Sequence, residues 1–283
     1  MDVGCAFDWY RAGIDDSPDY ILARLQDGLG RFGNEQLRPS VRRLRPNLGY
    51  RDSAGLFHFD RRLCTISWGG NTGERIMVEG TGCEAPAVAS LVKSEWPSHY
   101  LLRADVAIDV DMPDAWDSLY SMATNLADQF DLKVKNIGDY HRAVDGRTVQ
   151  VGANTSPVKM RIYEKGIERR VNAGITNLST NLVRVETEVK PRKTLARLHC
   201  ATLSPVELMG CAPFTAEAAR LLLGESVRRV TGLNRLKRPS DRERALSHMV
   251  QQYGKHLDSL LEELGSWCAV GEHLGSIRSG DDI

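Results

Sequence analysis

The chain has 283 residues, with 37 Lys and Arg balanced by 37 Asp and Glu. Zero net charge excludes a protein that attracts nucleic acid or an anionic surface through its overall field, so phosphate recognition has to come from local clusters. A composition of 42% hydrophobic and 26% charged residues fits a globular protein with a sizeable core, and no apolar run approaches the roughly 18 residues of a membrane span.

The opening residues, MDVGCAFDWYRAG, lack the basic and apolar regions of a secretory leader. With six cysteines and no C-x-x-C pair, a soluble cytoplasmic protein with reduced thiols is expected. Residues 4–14 read as a strand ending at Asp15 and Asp16. Ser17 then caps a helix with Pro18 at its first position and an apolar stripe of Ile21, Leu22, Leu25 and Leu29. Residues 31–46, rich in Arg, Pro and Asn, read as a loop. Strands follow at 50–59, 63–68 and 75–79, separated by glycine-rich turns, and a short helix begins near Pro86.

The order then repeats. Residues 102–110 alternate strictly, and 113–130 form an amphipathic helix with Trp116, Leu119, Ala123, Leu126 and Phe130 on one face. Three strands follow at 148–152, 159–165 and 182–190, and DDSPD at 15–19 corresponds to VDMPD at 110–114. The expected fold is α+β: a large curved antiparallel sheet built from two related β-α-β-β-β-α halves, 1–100 and 101–200, with helices on one face. A helical C-terminal region, 201–283, completes it. Ser204–Glu207 and Ser240–Glu243 are capping boxes, residues 215–230 are amphipathic, and GSIRSGDDI reads as a frayed tail.

Strand side chains alternate between faces. Val106, Ile108 and Val110 share one face, and Arg103, Asp105, Ala107 and Asp109 the other. By the same rule Arg161, Tyr163 and Lys165 oppose Met160 and Ile162, while Arg184, Glu186 and Glu188 oppose Val183, Val185 and Val189. If the three strands are neighbours, one surface holds Asp105, Asp109, Glu186 and Glu188 with Tyr163 and several cations. A solvated face laced with cross-strand ion pairs accounts for any one strand. Four carboxylates together repel one another unless a cation sits among them, and all-oxygen ligation suits Mg²⁺ or Mn²⁺. Tyr163 would then need Arg161, Lys165 or the metal to favour its phenolate.

Between 159 and 197 basic residues outnumber acids ten to four, which is either a solvated surface, above all at Arg169–Arg170 and Arg192–Lys193, or what a phosphodiester substrate calls for. Lys159, Arg169, Arg170, Arg184, Lys190, Arg192 and Lys193 are the candidate DNA contacts. A second cluster, Arg38, Arg42, Arg43, Arg45 and Arg51, lies in the first half.

RADVAID (103–109), GRTVQVG (146–152), RIYEK (161–165) and RVETE (184–188) occur in the order found in the replication initiation factor family. GGNTGERIMVEGTG (69–82) resembles that family's glycine-rich segment. The chain thus resembles, over about residues 4–200, the rolling-circle initiators and relaxases of plasmids, integrative elements and filamentous phages. The resemblance implies a strand-nicking enzyme whose tyrosine, here Tyr163, joins covalently to the new 5′ end and leaves a 3′-OH for synthesis. It implies Asp105, Asp109, Glu186 and Glu188 as candidate ligands of Mg²⁺ or Mn²⁺, origin DNA as substrate, and a homodimer and a host helicase as partners. No His-x-His pair is present, so the histidine-metal relaxases do not match. Two other readings stand beside this one. Glu188-Val189-Lys190 has the E-x-K form of a hydrolytic nuclease, in which water replaces Tyr163. A non-catalytic DNA-binding regulator could keep the sheet without the chemistry.

Overall fold

The computed structural model describes residues 4–31, 38–70, 75–142, 144–224, 230 and 241–279, with backbone alone at 241, 243, 244, 247 and 251. In chain order the first elements are β1 (Cys5–Ile14), α1 (Pro18–Gly30), β2 (Ser40–Arg43), β3 (Asp52–His58), β4 (Arg61–Trp68), β5 (Ile76–Thr81) and α2 (Ala85–Glu95). Next come β6 (Tyr100–Asp111), α3 (Ala115–Gln129), β7 (Val134–Ile137), β8 (Thr148–Val151), β9 (Val158–Tyr163), α4 (Lys165–Ala173) and β10 (Leu182–Val189). Helices α5 (Thr194–Thr202), α6 (Pro205–Met209), α7 (Pro213–Leu223), α8 (Asp241–Leu264) and α9 (Trp267–Ser279) follow.

The ten strands make one antiparallel sheet in the order β2-β3-β4-β5-β1-β6-β10-β9-β8-β7. Its apolar face is set by alternation. Tyr10, Ala12 and Ile14 of β1, Ala104, Val106 and Ile108 of β6, Val183, Val185 and Val189 of β10, and Met160 and Ile162 of β9 are all buried. Against that face pack α2, α3, α5 and α6. The start of α1 follows the sequence directly: the Ser17 hydroxyl accepts from the Tyr20 amide and Pro18 takes the first helical position. The box at Ser204 is also formed, the Ser204 and Glu207 side chains each accepting from the other's amide.

The structure changes several boundaries. The loop expected over 31–46 contains β2, an edge strand; β7 is the opposite edge, and neither was foreseen. Both are four residues long and exposed, too short and too wet to carry a face. The strand expected through Lys165 ends at Tyr163, and Lys165 opens α4. Residues 275–279, read as frayed tail, belong to α9. The helix read over 215–230 is α7, ending at Leu223; residues 225–229 lie outside the described residues, as do Ser240 of the second capping box and 71–74 of the glycine-rich segment.

The chain divides into two compact units, 1–233 and 234–283. Helices α5 to α7 therefore belong with the sheet, and no break in compactness falls at residue 200. In the second unit α8 and α9 pack on each other. Among the described residues no helix is long and apolar enough to cross a membrane.

Candidate functional site

The strands β6, β10 and β9 are neighbours, and their register sets the site. Asp105 lies opposite Glu188, which lies opposite Lys159. One step along, Glu186 lies between Ala107 and Arg161, and one step further Arg184 lies between Asp109 and Tyr163. All of these face away from the helix-covered core.

Three of the four carboxylates converge. Asp105, Glu186 and Glu188 are 2%, 3% and 4% exposed, which is unusual for acidic side chains and requires compensating charge. Arg103 provides it for two of them: its Nε lies 2.8 Å from Asp105 Oδ1, and its Nη2 bonds Asp105 Oδ2 and lies 3.2 Å from Glu188 Oε2. Lys159 and Lys190 reach Glu188 Oε1 at 3.2 and 2.9 Å. Arg161 Nη2 donates to Glu186 Oε1 and sits 3.6 Å from Asp105 Oδ2, so one nitrogen bridges two strands' carboxylates. Its Nε, buried, has no hydrogen-bond partner among the described residues.

Burial pushes the Asp105 carboxyl up to about 7, against its bond from Arg103 and with the Glu186 charge adding to the rise. Burial acts the same way on Glu188, but the Lys190 hydrogen bond and the Arg103 and Lys159 charges outweigh it and hold Glu188 below the usual carboxylate range.

Tyr163 donates its hydroxyl to Glu186 Oε2 at 3.0 Å. Burial, and then the Glu186 charge, raise its proton affinity well above the ordinary tyrosine value, with Arg184 opposing them. At rest it is therefore a neutral phenol whose proton already faces a carboxylate. Lys165 Nζ lies 5.3 Å from the centre of the Tyr163 ring and 3.0 Å from Glu168 Oε2. The strand end that carries Tyr163 is pinned through Glu164: its carboxylate accepts from the Arg147 amide at 2.7 Å and from Arg147 Nη2 at 2.8 Å.

Asp109 stands apart. It is four residues from Asp105, about 13 Å along the strand, too far to share one ion. Arg184 grips both its oxygens, Nε to Oδ1 at 2.6 Å and Nη2 to Oδ2 at 2.7 Å. The third nitrogen, Nη1, donates to Asp8 Oδ1 at 2.6 Å. Asp8 reaches this cluster through a β-bulge: Phe7 pairs with Val106 and Trp9 with Asp105, leaving Asp8 as the extra residue. Alternation cannot register a bulge, which is why Asp8 was missed. Arg103 lay on the face already assigned but was not chosen as a site residue. Its guanidinium carbon also stacks 4.2 Å from the Trp9 ring centre.

Of the candidate DNA contacts, Lys159, Arg184 and Lys190 are thus committed to carboxylates. Arg192 Nη2 donates to the Thr155 carbonyl. Arg169, Arg170 and Lys193 form no ion pair among the described residues. In the first half, Arg42, Arg43 and Arg51 pair with Asp60 and Asp52.

As the side chains stand, no group of three or more His, Cys, Asp or Glu among the described residues is disposed to hold a metal. The donor chemistry nevertheless fits a hard divalent ion: three buried carboxylates, two of them already joined through a single cationic nitrogen of Arg161.

No family model and no curated protein matches the chain. Among solved structures it is similar to a rolling circle replication initiator protein from Geobacillus stearothermophilus, with a TM-score of 0.50 and 15% identity over 80% of this chain and 99% of that one. At this identity the likeness is one of fold.

Proposed function

We propose that this chain initiates rolling-circle replication by nicking origin DNA, with Tyr163 as the nucleophile. The observation that carries the reading is the 3.0 Å bond from the Tyr163 hydroxyl to Glu186, inside a buried group of carboxylates and guanidinium ions. Tyr163 Oη attacks the scissile phosphorus while its proton passes to Glu186. The Oη–P bond forms as the P–O3′ bond breaks, leaving the 5′ phosphate on Tyr163 and, after protonation, a 3′-OH. Arg161 and Lys165 flank the phosphate. Asp105, Glu186 and Glu188 are the proposed ligands of Mg²⁺ or Mn²⁺, which supplies charge stabilisation to the phosphate when bound. The mirrored strand order supports two related halves, with this site in the second. Origin DNA, a second copy of the chain and a host helicase are the proposed partners.

The test uses supercoiled DNA carrying the origin, Mg²⁺ or Mn²⁺, and a denaturing gel. Wild type is expected to give a nicked circle and a covalent protein–DNA adduct, both lost in Tyr163→Phe. Nicking that survives Tyr163→Phe would mean hydrolysis by water, and binding without nicking would mean a regulator. Glu186→Gln is expected to slow nicking by about 100-fold or more while leaving DNA affinity unchanged.

A further inference from the structure

A cavity of about 280 Å³ opens on the polar face beside the Asp8–Arg184–Asp109 cluster. Its floor is small and apolar: Ala6 and Ala107 face each other across β1 and β6, and Gly4 and Gly82 add no side chain. A Cβ on either glycine would meet no atom within 4 Å, so the space is open rather than packed. Arg169 of α4 lines the cavity, and its guanidinium donates no hydrogen bond and forms no ion pair among the described residues. Asp8 and Arg184 also line it, and both alter the proton affinity of Tyr163, so the cavity wall lies within electrostatic reach of the nucleophile.

We infer that this cavity receives one unstacked base of the DNA strand next to the scissile phosphate, and that Arg169 reads it as guanine. The inference rests on the nicking reading for its strand and position. A floor of small side chains leaves room for a ring, with Phe7 and Pro86 also lining the cavity, and the volume lies just below the range of sites for drug-sized ligands, about 300–1,000 Å³. The chemistry at the rim selects among bases. A guanidinium with free donors pairs best with the O6 and N7 acceptors of guanine. Arg184 has all three nitrogens committed to Asp8 and Asp109, so it shapes the wall while Arg169 does the reading. Thymine offers no acceptor pair matching the Arg169 fork.

The test separates base reading from cleavage by using the full chain carrying Tyr163→Phe, which cannot form an adduct. The probes are thymidine oligomers of about 15 nucleotides, either all-thymine or with a single central guanine, adenine or cytosine, followed by fluorescence anisotropy. The guanine oligomer is expected to bind about tenfold tighter than the other three, the scale of one good bidentate base contact. Arg169→Lys keeps the charge and loses the fork, so it should erase the preference while largely keeping overall affinity. Ala6→Val fills the floor with a good strand former and should erase the preference in a protein that melts normally. Equal binding of the four oligomers, a preference for another base, or a guanine preference that survives both Arg169→Lys and Ala6→Val overturns the inference. An intact guanine preference in a chain whose wild type makes no adduct would sink the nicking reading and keep the pocket. Adduct formation without base preference would do the reverse.

Discussion

At the scale of single residues, the fold buries few polar groups without a purpose that geometry makes plain. His99 is 3% exposed, with Nε2 2.5 Å from the Tyr10 hydroxyl and Nδ1 2.7 Å from the Trp96 carbonyl. Both contacts are satisfied by a neutral ring that donates from Nδ1 and accepts at Nε2. Burial lowers its proton affinity below the ordinary 6.5, the Trp96 bond opposing and Lys93 reinforcing the effect. The unfolded chain therefore takes up the proton first. The contribution to stability is complete above pH 6.5 and is lost as pH falls from there toward the depressed folded value. Melting temperature should fall with acid across that window in wild type, and His99→Gln should flatten this part of the profile. Equal slopes for the two proteins would remove His99 from acid sensitivity. That Asp105, Glu186, Glu188, Arg161 and Tyr163 share one face was legible because alternation holds in their strands. Their pairing with Arg103, Lys159 and Lys190 was not, because partners depend on register, which a single strand's sequence does not encode.

At the scale of elements, α4 shows where periodicity failed. RIYEKG continues the alternation of β9, yet the chain turns at Glu164 because Arg147 holds its carboxylate through the backbone amide and the guanidinium. A contact between distant segments thus decides where the strand stops. Gly166 then allows α4 to dock: a Cβ there would lie 1.8 Å from the Ser179 carbonyl oxygen, a backbone atom that cannot swing aside. Gly166→Ala should cost about 1–3 kcal/mol, the range for overpacking, and shift Lys165 and Arg169 from their positions. Thermal melting and oligonucleotide binding would check both effects; an unperturbed Tm would mean the loop carrying Ser179 moves freely. Long elements such as β6 and α3 were legible because their patterns persist over many residues. The edges β2 and β7 were not, because their identity comes only from pairing with β3 and β8.

At the scale of the whole molecule, zero net charge recurs within the site itself. Most cations on the polar face are already matched by a carboxylate, leaving Arg170, Arg192 and Lys193, besides the base-reading Arg169, without ion pairs among the described residues. Binding to single-stranded DNA should accordingly depend only modestly on salt, with a log–log slope of about −2 for three phosphate contacts. Arg170→Ala and Lys193→Ala should each reduce the magnitude of that slope by about 0.7, as measured by anisotropy titrations across salt concentrations. An unchanged slope in both would move the phosphate track elsewhere. The strand order has one more consequence, for synthesis on the ribosome. Among the described residues β10 is the last strand made, and it inserts between β6 and β9. Asp105 and Tyr163 emerge earlier, on strands that do not touch until Glu186 and Glu188 arrive to join them. A nascent chain therefore carries Tyr163 well before it carries the carboxylates that Tyr163 faces, and under the proposed function the competence to cut DNA would arise only with that late strand insertion.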